Sequence, residues 1–327
     1  MKFGIIGTNF ISDGFMDAAK HCNDFSLAAV SGTSIAKAEA FGEKYGCTAG
    51  FDDYKKMIES GLCEAIYVAT PNAMHKDMGL YALEHHLPVL IEKPLASNAK
   101  EVEELIDASI KYHTLMMEAL VPVPTSNFKL LKQEVSTLGT IRRAVFNFGK
   151  YSSRYDNYRK GIVENAFKAE LSNGSVMDIG VYSLGVALAL FGKPEEIHAN
   201  AILLSTGVDG SGSVLLKYKD KEVIVTHAKS IDTFVTSEIQ GEDGTIQIDG
   251  VSIMKGLRKA MRKQAFVPFD DPDEKPWMYY EVREFIDCVK AGKIESDSVP
   301  HSFSLLLHEV ITEIRRQTGV VFPADKA

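Results

Sequence analysis

The chain has 327 residues, 45% of them hydrophobic and 24% charged, which is enough apolar material for about two ordinary globular domains. A formal net charge of −8 excludes a global basic field that would draw in nucleic acid or an anionic membrane. Cys22, Cys47, Cys63 and Cys288 show neither CxxC spacing nor a pairing pattern, so they read as free thiols of a reducing compartment.

The N-terminus opens directly on a strand, Lys2-Phe3-Gly4-Ile5-Ile6-Gly7, which leaves no room for a signal peptide. No apolar run reads as membrane-spanning, and no histidine falls in an HExxH arrangement. The expectation is a cytoplasmic protein with no metal site. Apolar runs bounded by turn residues recur at 3–7, 25–30, 63–69, 88–91 and 115–117, with a weaker one near Cys47. Helical spacing separates them, as in Met74, Met78, Tyr81 and Ala82, then Val102, Leu105, Ile106 and Ser109. Strands alternating with helices predict βαβ units and a doubly wound parallel sheet, an α/β Rossmann domain over residues 1–120.

The first βα turn, Gly7-Thr8-Asn9-Phe10-Ile11-Ser12, keeps only the first glycine of GxGxxG and a small residue at its third place. Asn9 would replace the second glycine, since asparagine tolerates left-handed backbone. The acidic residue expected after the second strand, where it would hold a ribose, is absent. Ser31-Gly32-Thr33-Ser34 stands there, with Lys37 one turn on. Hydroxyls and a lysine with no acid beside them favour a 2′-phosphate, hence NADP over NAD, although Thr33 or Ser34 also suits a helix cap. Two further turns lie on the same sheet edge, Ala69-Thr70-Pro71-Asn72 with His75 following, and Glu92-Lys93-Pro94. Ligands of open α/β sheets bind at that edge, and a lysine desolvated there can move protons near neutral pH.

From residue 141 the texture changes to long strands at 141–149, 196–204, 213–218, 222–228, 233–240 and 245–248. Turn pairs such as Asp209-Gly210 and Asp243-Gly244 predict an α+β domain over 121–327 with a large, mostly antiparallel open sheet. Apolar residues at successive positions, as in Val223-Ile224-Val225, suggest that both sheet faces are partly covered, one by helices and the other by a second subunit, the alternative being cover from within the chain by 277–291 and 303–317. The basic cluster Lys255, Arg258, Lys259, Arg262 and Lys263, followed by acidic 270–274, reads as a solvated linker with mutual compensation. A long insertion at 151–174, rich in Arg, Tyr and Asn, offers Arg154 and Asn165 to a polyhydroxylated or carboxylated ligand, and equally suits surface packing. The helix expected over 175–191 sets Asp178 and Tyr182 four apart, on one face.

Gly4-Ile5-Ile6-Gly7, Ala69-Thr70-Pro71-Asn72, Glu92-Lys93-Pro94, Met117-Glu118-Ala119 and Asp178-Ile179-Gly180-Val181-Tyr182, at these spacings, resemble the Gfo/Idh/MocA oxidoreductases along essentially the whole chain. The resemblance implies an NAD(P)-dependent dehydrogenase or reductase acting on CH–OH groups, in homodimers or homotetramers joined through the second sheet. It gives the cofactor the three turns, through Gly7 to Ile11, Ala69 to Asn72, His75, and Glu92, Lys93 and Pro94. It sets Asp178 and Tyr182 at the substrate opposite Lys93. Tyrosine where inositol dehydrogenases carry histidine is similar to the glucose-fructose oxidoreductase and dihydrodiol dehydrogenase branches. The expected chemistry is reversible hydride transfer with a sugar, polyol or dihydrodiol, Lys93 and Tyr182 sharing the hydroxyl proton and Asp178 orienting. The alternative is an inactive NAD(P)-binding sensor or scaffold of the same fold.

Overall fold

A computed structural model describes residues 1–326. Six parallel strands, β1 (Lys2–Ile6), β2 (Ser26–Ser31), β3 (Gly50–Phe51), β4 (Ala65–Val68), β5 (Val89–Glu92) and β6 (Met116–Ala119), lie in the order β3-β2-β1-β4-β5-β6. Every residue of β4, β5 and β6 is buried, as expected of strands covered on both faces. Helices α1 (Phe10–Ala19), α2 (Ile35–Glu43), α3 (Tyr54–Glu59), α4 (His75–Glu84) and α5 (Ala99–Tyr112) make the crossovers. One layer of core joins Ile66, Val68 and Ile91 of the sheet to Met78, Ala82 and Leu105 of α4 and α5. The order reverses between β1 and β4, and the crevice at the carboxyl ends there is the general ligand position of such sheets.

The second sheet has eight strands. With α6 (Ser126–Val135), α7 (Tyr155–Arg159) and α8 (Val181–Phe191) come β7 (Ile141–Gly149), β8 (Glu196–Leu203), β9 (Asp209–Lys217), β10 (Glu222–Ala228), β11 (Ser237–Gly241), β12 (Gly244–Gly250), β13 (Lys255–Met261) and β14 (Val267–Pro268). Their order is β14-β13-β12-β11-β7-β10-β9-β8, antiparallel throughout except for the parallel pair β7 and β10. The strand expected from 233 starts at Ser237, because the side-chain amide of Asn147 donates to the Thr233 hydroxyl and the Val235 carbonyl and holds that stretch irregular. The basic cluster is not a linker: Lys255, Arg258 and Lys259 lie on strand β13, and Arg262 and Lys263 in the turn that follows it. Its charges are compensated by neighbours: Arg258 by Asp249 at 2.8 Å, Lys259 by Glu134, and Lys255 by Glu274 at 3.7 Å.

Burial alternates along β10, so one sheet face is fully packed while the other keeps Val145, Ile224 and Leu215, aligned in register, half-buried. The helical run Ala169–Phe191 contains a window long and apolar enough to cross a membrane by length and composition, against the sequence expectation. Of that window, 72% is buried inside the fold, as in a core helix, and α8 packs on β7 and β10.

The chain divides into two compact units: Met1–Leu120 with Lys275–Leu305, and Val121–Glu274 with the residues from Leu306 onward. The returning segment carries α9 (Tyr279–Lys290) and the start of α10 (His301–Thr318). Trp277 closes against Gly14 of α1, where an added Cβ would come within 2.7 Å of the indole. The Phe285 ring lies 5.6 Å from that of Phe3, which in turn is 5.9 Å from Phe15. Beyond β6, Met116 donates its amide to the Ile294 carbonyl at 3.2 Å.

Candidate active site

In the first βα turn Gly7 has φ +112°, and a Cβ there would stand 2.2 Å from the Ala69 carbonyl oxygen. Only glycine fits so close an approach of two turns. Asn9 is not left-handed, as its sequence reading required, but extended at φ −99°. It caps α1, its Oδ1 accepting from the Ile11 amide at 2.9 Å, while its Nδ2 donates to the Ala69 carbonyl at 2.7 Å. Thr8 is half-buried and Phe10 exposed at the mouth of the turn. Ser12, wholly buried, donates to the Gly7 carbonyl at 2.8 Å, so the third small residue clamps the turn. The amino end of α1, opening directly from this tight turn, suits a pyrophosphate, because a helix terminus favours an anion.

At the end of β2, Ser31 is buried, Gly32 half-buried and Thr33 exposed. Ser34 caps α2 by accepting from the Lys37 amide, and Lys37 Nζ reaches back to the Thr33 hydroxyl at 3.1 Å. Cap and cation therefore coexist at one place.

Side chains from four directions anchor the turn after β5. Tyr67, fully buried and stacked on Phe15 with ring centroids 3.9 Å apart, donates its hydroxyl to Glu92 Oε1 at 2.5 Å. The Lys93–Pro94 peptide is cis. Leu95 donates its amide to Glu118 Oε1 at 3.0 Å, and Ser97 donates to Glu101 Oε2 at 2.9 Å. His75 places Nδ1 2.9 Å from the Pro94 carbonyl and Nε2 2.8 Å from the Thr70 carbonyl. Its ring is enclosed and both nitrogens are engaged, so His75 is a strut between two turns rather than a group that touches a cofactor. Burial pushes its pKa down, opposed by those two carbonyls. Pro71 and Asn72 stay half-exposed beside Thr70, at the amino end of a short 3₁₀ turn leading into α4.

Sequence reasoning missed Glu281. Its carboxyl is completely buried in α9, and neither oxygen has a hydrogen-bond partner among the described residues. Burial, reinforced by Glu92 and opposed by Lys93, holds its pKa well above the ordinary carboxylate value and favours the protonated form. A signal was there to find: Glu281 stands on the apolar stripe of its helix, three residues after Met278 and four before Phe285.

In the second unit Asp178 lies in a π-helical turn, Val176–Gly180, which runs straight into α8 with Tyr182 in its first turn. The wider turn removes the simple α-helical spacing between them, and single π turns inside helices are frequent at functional sites. The Tyr182 ring packs edge-on to Phe148 at 5.9 Å. Asp178 pairs with Lys229 Nζ at 2.8 Å, an ion pair the sequence reading did not foresee. In the insertion, Arg154 is at the start of α7, 3.5 Å from Glu164, and exposed Asn165 opens a 3₁₀ turn with its carbonyl accepting from Asn173.

A family described as "Oxidoreductase family, NAD-binding Rossmann fold" matches residues 1–119, and its GFO/IDH/MocA C-terminal domain matches 132–247. The scyllo-inositol 2-dehydrogenase (NADP(+)) IolU of Bacillus subtilis is 42% identical over 327 residues, covering all of both chains. The chain belongs to the Gfo/Idh/MocA family. Human trans-1,2-dihydrobenzene-1,2-diol dehydrogenase is 28% identical, covering 100% of this chain and 99% of its own. Among solved structures, KijD10, a 3-ketoreductase from Actinomadura kijaniata in complex with NADP and TDP-benzene, superposes with a TM-score of 0.86 at 19% identity, covering 97% of this chain and 98% of its own. This Gfo/Idh/MocA protein is an NAD(P)-dependent oxidoreductase.

Proposed function

We propose that this enzyme is an NADP-linked dehydrogenase of a polyol or sugar, closest in substrate chemistry to the inositols. The observation that carries the reading is the fourfold anchorage of the turn bearing Lys93 at the ligand edge of the sheet. A side chain held by such a frame is pre-organised for proton transfer. The 42% identity to a scyllo-inositol 2-dehydrogenase over the full length supports the substrate class. Lys37 beside Thr33, in a loop without acidic side chains, supports NADP.

The bound nicotinamide supplies hydride transfer. Lys93 and Tyr182 share the proton of the reacting hydroxyl and titrate as a coupled pair. Asp178 accepts a hydrogen bond from the substrate and orients it, and Arg154 and Asn165 hold its outer hydroxyls. Four buried thiols, all free, support a reducing, cytoplasmic setting. A second copy of the chain covers the half-buried sheet face, supported by exposed Ile202, Ile231, Phe234 and Val235 near it.

The test is oxidation of inositols, aldoses and trans-dihydrodiols by the purified enzyme with NADP⁺ and NAD⁺. Turnover of a polyol with NADP⁺, lost in Lys93→Ala while NADPH still binds, is the expected result. Cofactor binding without oxidation of any candidate overturns the reading in favour of a sensor.

A further inference from the structure

Lys229 follows directly on β10 and continues the inward alternation of Val223, Val225 and His227 one step beyond the strand, and it is only 2% exposed. An ammonium so enclosed is costly unless paired and hydrogen-bonded. Its Nζ has three neighbours: Asp178 Oδ2 at 2.8 Å, the Ala166 carbonyl at 3.1 Å, and the Phe167 ring, whose centroid lies 5.3 Å away. Its main chain is engaged too. The amide donates to the Gly210 carbonyl at 2.8 Å, and its carbonyl accepts from Ser152 at 2.8 Å. One residue thus touches both the beginning and the middle of the 151–174 insertion, strand β9 and the π turn.

We propose that Lys229 is a positioning residue, which fixes Asp178 as an ionised hydrogen-bond acceptor for the substrate and couples that carboxylate to the seating of the insertion. The proposal rests on the reading of Asp178 as a substrate-facing group. Lys229 itself has no surface left for a ligand, whereas the Asp178 side chain is 40% exposed, so the buried partner aims the accessible one. The other titratable pair on this face is turned elsewhere: His227 Nδ1 lies 2.9 Å from the Ser175 hydroxyl and 3.7 Å from Asp209 Oδ2. The cation paired with Asp178 is therefore Lys229, while His227 is engaged with Ser175 and Asp209. An arginine could keep the charge, but its planar fork does not fit a site built for a point charge between a carboxylate, a carbonyl and a ring face.

The experiment compares Lys229→Met, Lys229→Arg, Asp178→Asn and Lys229→Met/Asp178→Asn in the full chain. NADPH fluorescence titration and thermal unfolding serve as checks on folding. With a polyol substrate, Lys229→Met is expected to raise KM at least tenfold and to move the acid limb of the kcat/KM profile up by about one pH unit, since an opposite charge at this range displaces a carboxylate by that much or more. NADPH affinity should change less than twofold, and Lys229→Arg should recover the limb but only part of KM. In the Asp178→Asn background, Lys229→Met should leave the pH profile where it was. An unmoved acid limb, or additive effects of the two substitutions, overturns the proposal.

If Lys229→Met fails to fold, the double variant, which buries no unpaired charge, decides: its folding supports the pair, and its failure to fold overturns it. If the wild type oxidises no polyol, the substrate reading falls. The Asp178 carboxyl titration, followed by NMR in wild type and Lys229→Met, then tests the pair, with an unchanged midpoint as the contrary result.

Discussion

The Tyr67 hydroxyl and the Glu92 carboxylate meet at 2.5 Å inside the first sheet, two strands' carboxyl ends joined by one buried hydrogen bond immediately before Lys93. A carboxylate in so dry a place needs its donors. Tyr67→Phe removes one without changing the stacked ring on Phe15, and is expected to cost about 1–3 kcal/mol in stability. Because the loss falls on the turn that aims Lys93, kcat should drop while the KM for NADP⁺ moves less than threefold. Thermal unfolding and steady-state kinetics on the one variant check both halves.

The raised pKa of Glu281 gives stability a pH dependence of definite sign. The native state keeps a proton that the unfolded chain has lost above about pH 4.5, so unfolding releases it and stability falls as pH rises toward the raised native value. Glu281→Gln keeps the shape and abolishes the titration. Relative to wild type, the variant should gain stability steadily as pH rises from about 5 toward the raised native value, by at most about 1.4 kcal/mol per pH unit. Melting temperatures of the two proteins across that range would show a widening gap in favour of glutamine; a constant gap contradicts the assignment.

Lys37 is expected to act on the cofactor choice alone. Lys37→Ala should raise the KM for NADP⁺ about tenfold, the worth of one charge-assisted contact to a phosphate, and alter that for NAD⁺ less than twofold. Parallel titrations with NADPH and NADH measure the ratio directly.

Phe234 is 95% exposed, next to Val235 and Ile231. An apolar group left so open on a folded chain marks an interaction surface. Phe234→Asp should shift the enzyme toward monomer in light scattering at micromolar concentration, with little loss of secondary structure in circular dichroism.

Much of this arrangement is legible in the residues, and what is not has identifiable causes. Gly7 announces its turn because no other residue tolerates φ +112° against the Ala69 carbonyl. The buried strands announce themselves by unbroken apolar runs such as Val89-Leu90-Ile91. Strand β13 hides because its lysines and arginines find partners across the sheet and on α6, a tertiary fact that local charge cannot reveal. The left-handed role given to Asn9 failed for a related reason. A side chain that can cap a helix and bind a neighbouring turn has no use for an unusual backbone. Lys229 and Glu281 were overlooked as charged residues, though each breaks a periodic apolar pattern, and an ionisable group inside such a pattern carries more information than the motif residues beside it.

The return of residues 275–305 to the first unit has a consequence for synthesis. The leading 120 residues emerge from the ribosome with the Phe3 and Phe15 rings and the Gly14 groove still uncovered, since Trp277 and Phe285 are translated more than 150 residues later. At roughly 5–20 residues per second this is a delay of some ten to thirty seconds. The unit begun first thus stays open until the chain is nearly finished, and a fragment cut at Leu120 would keep that open face permanently.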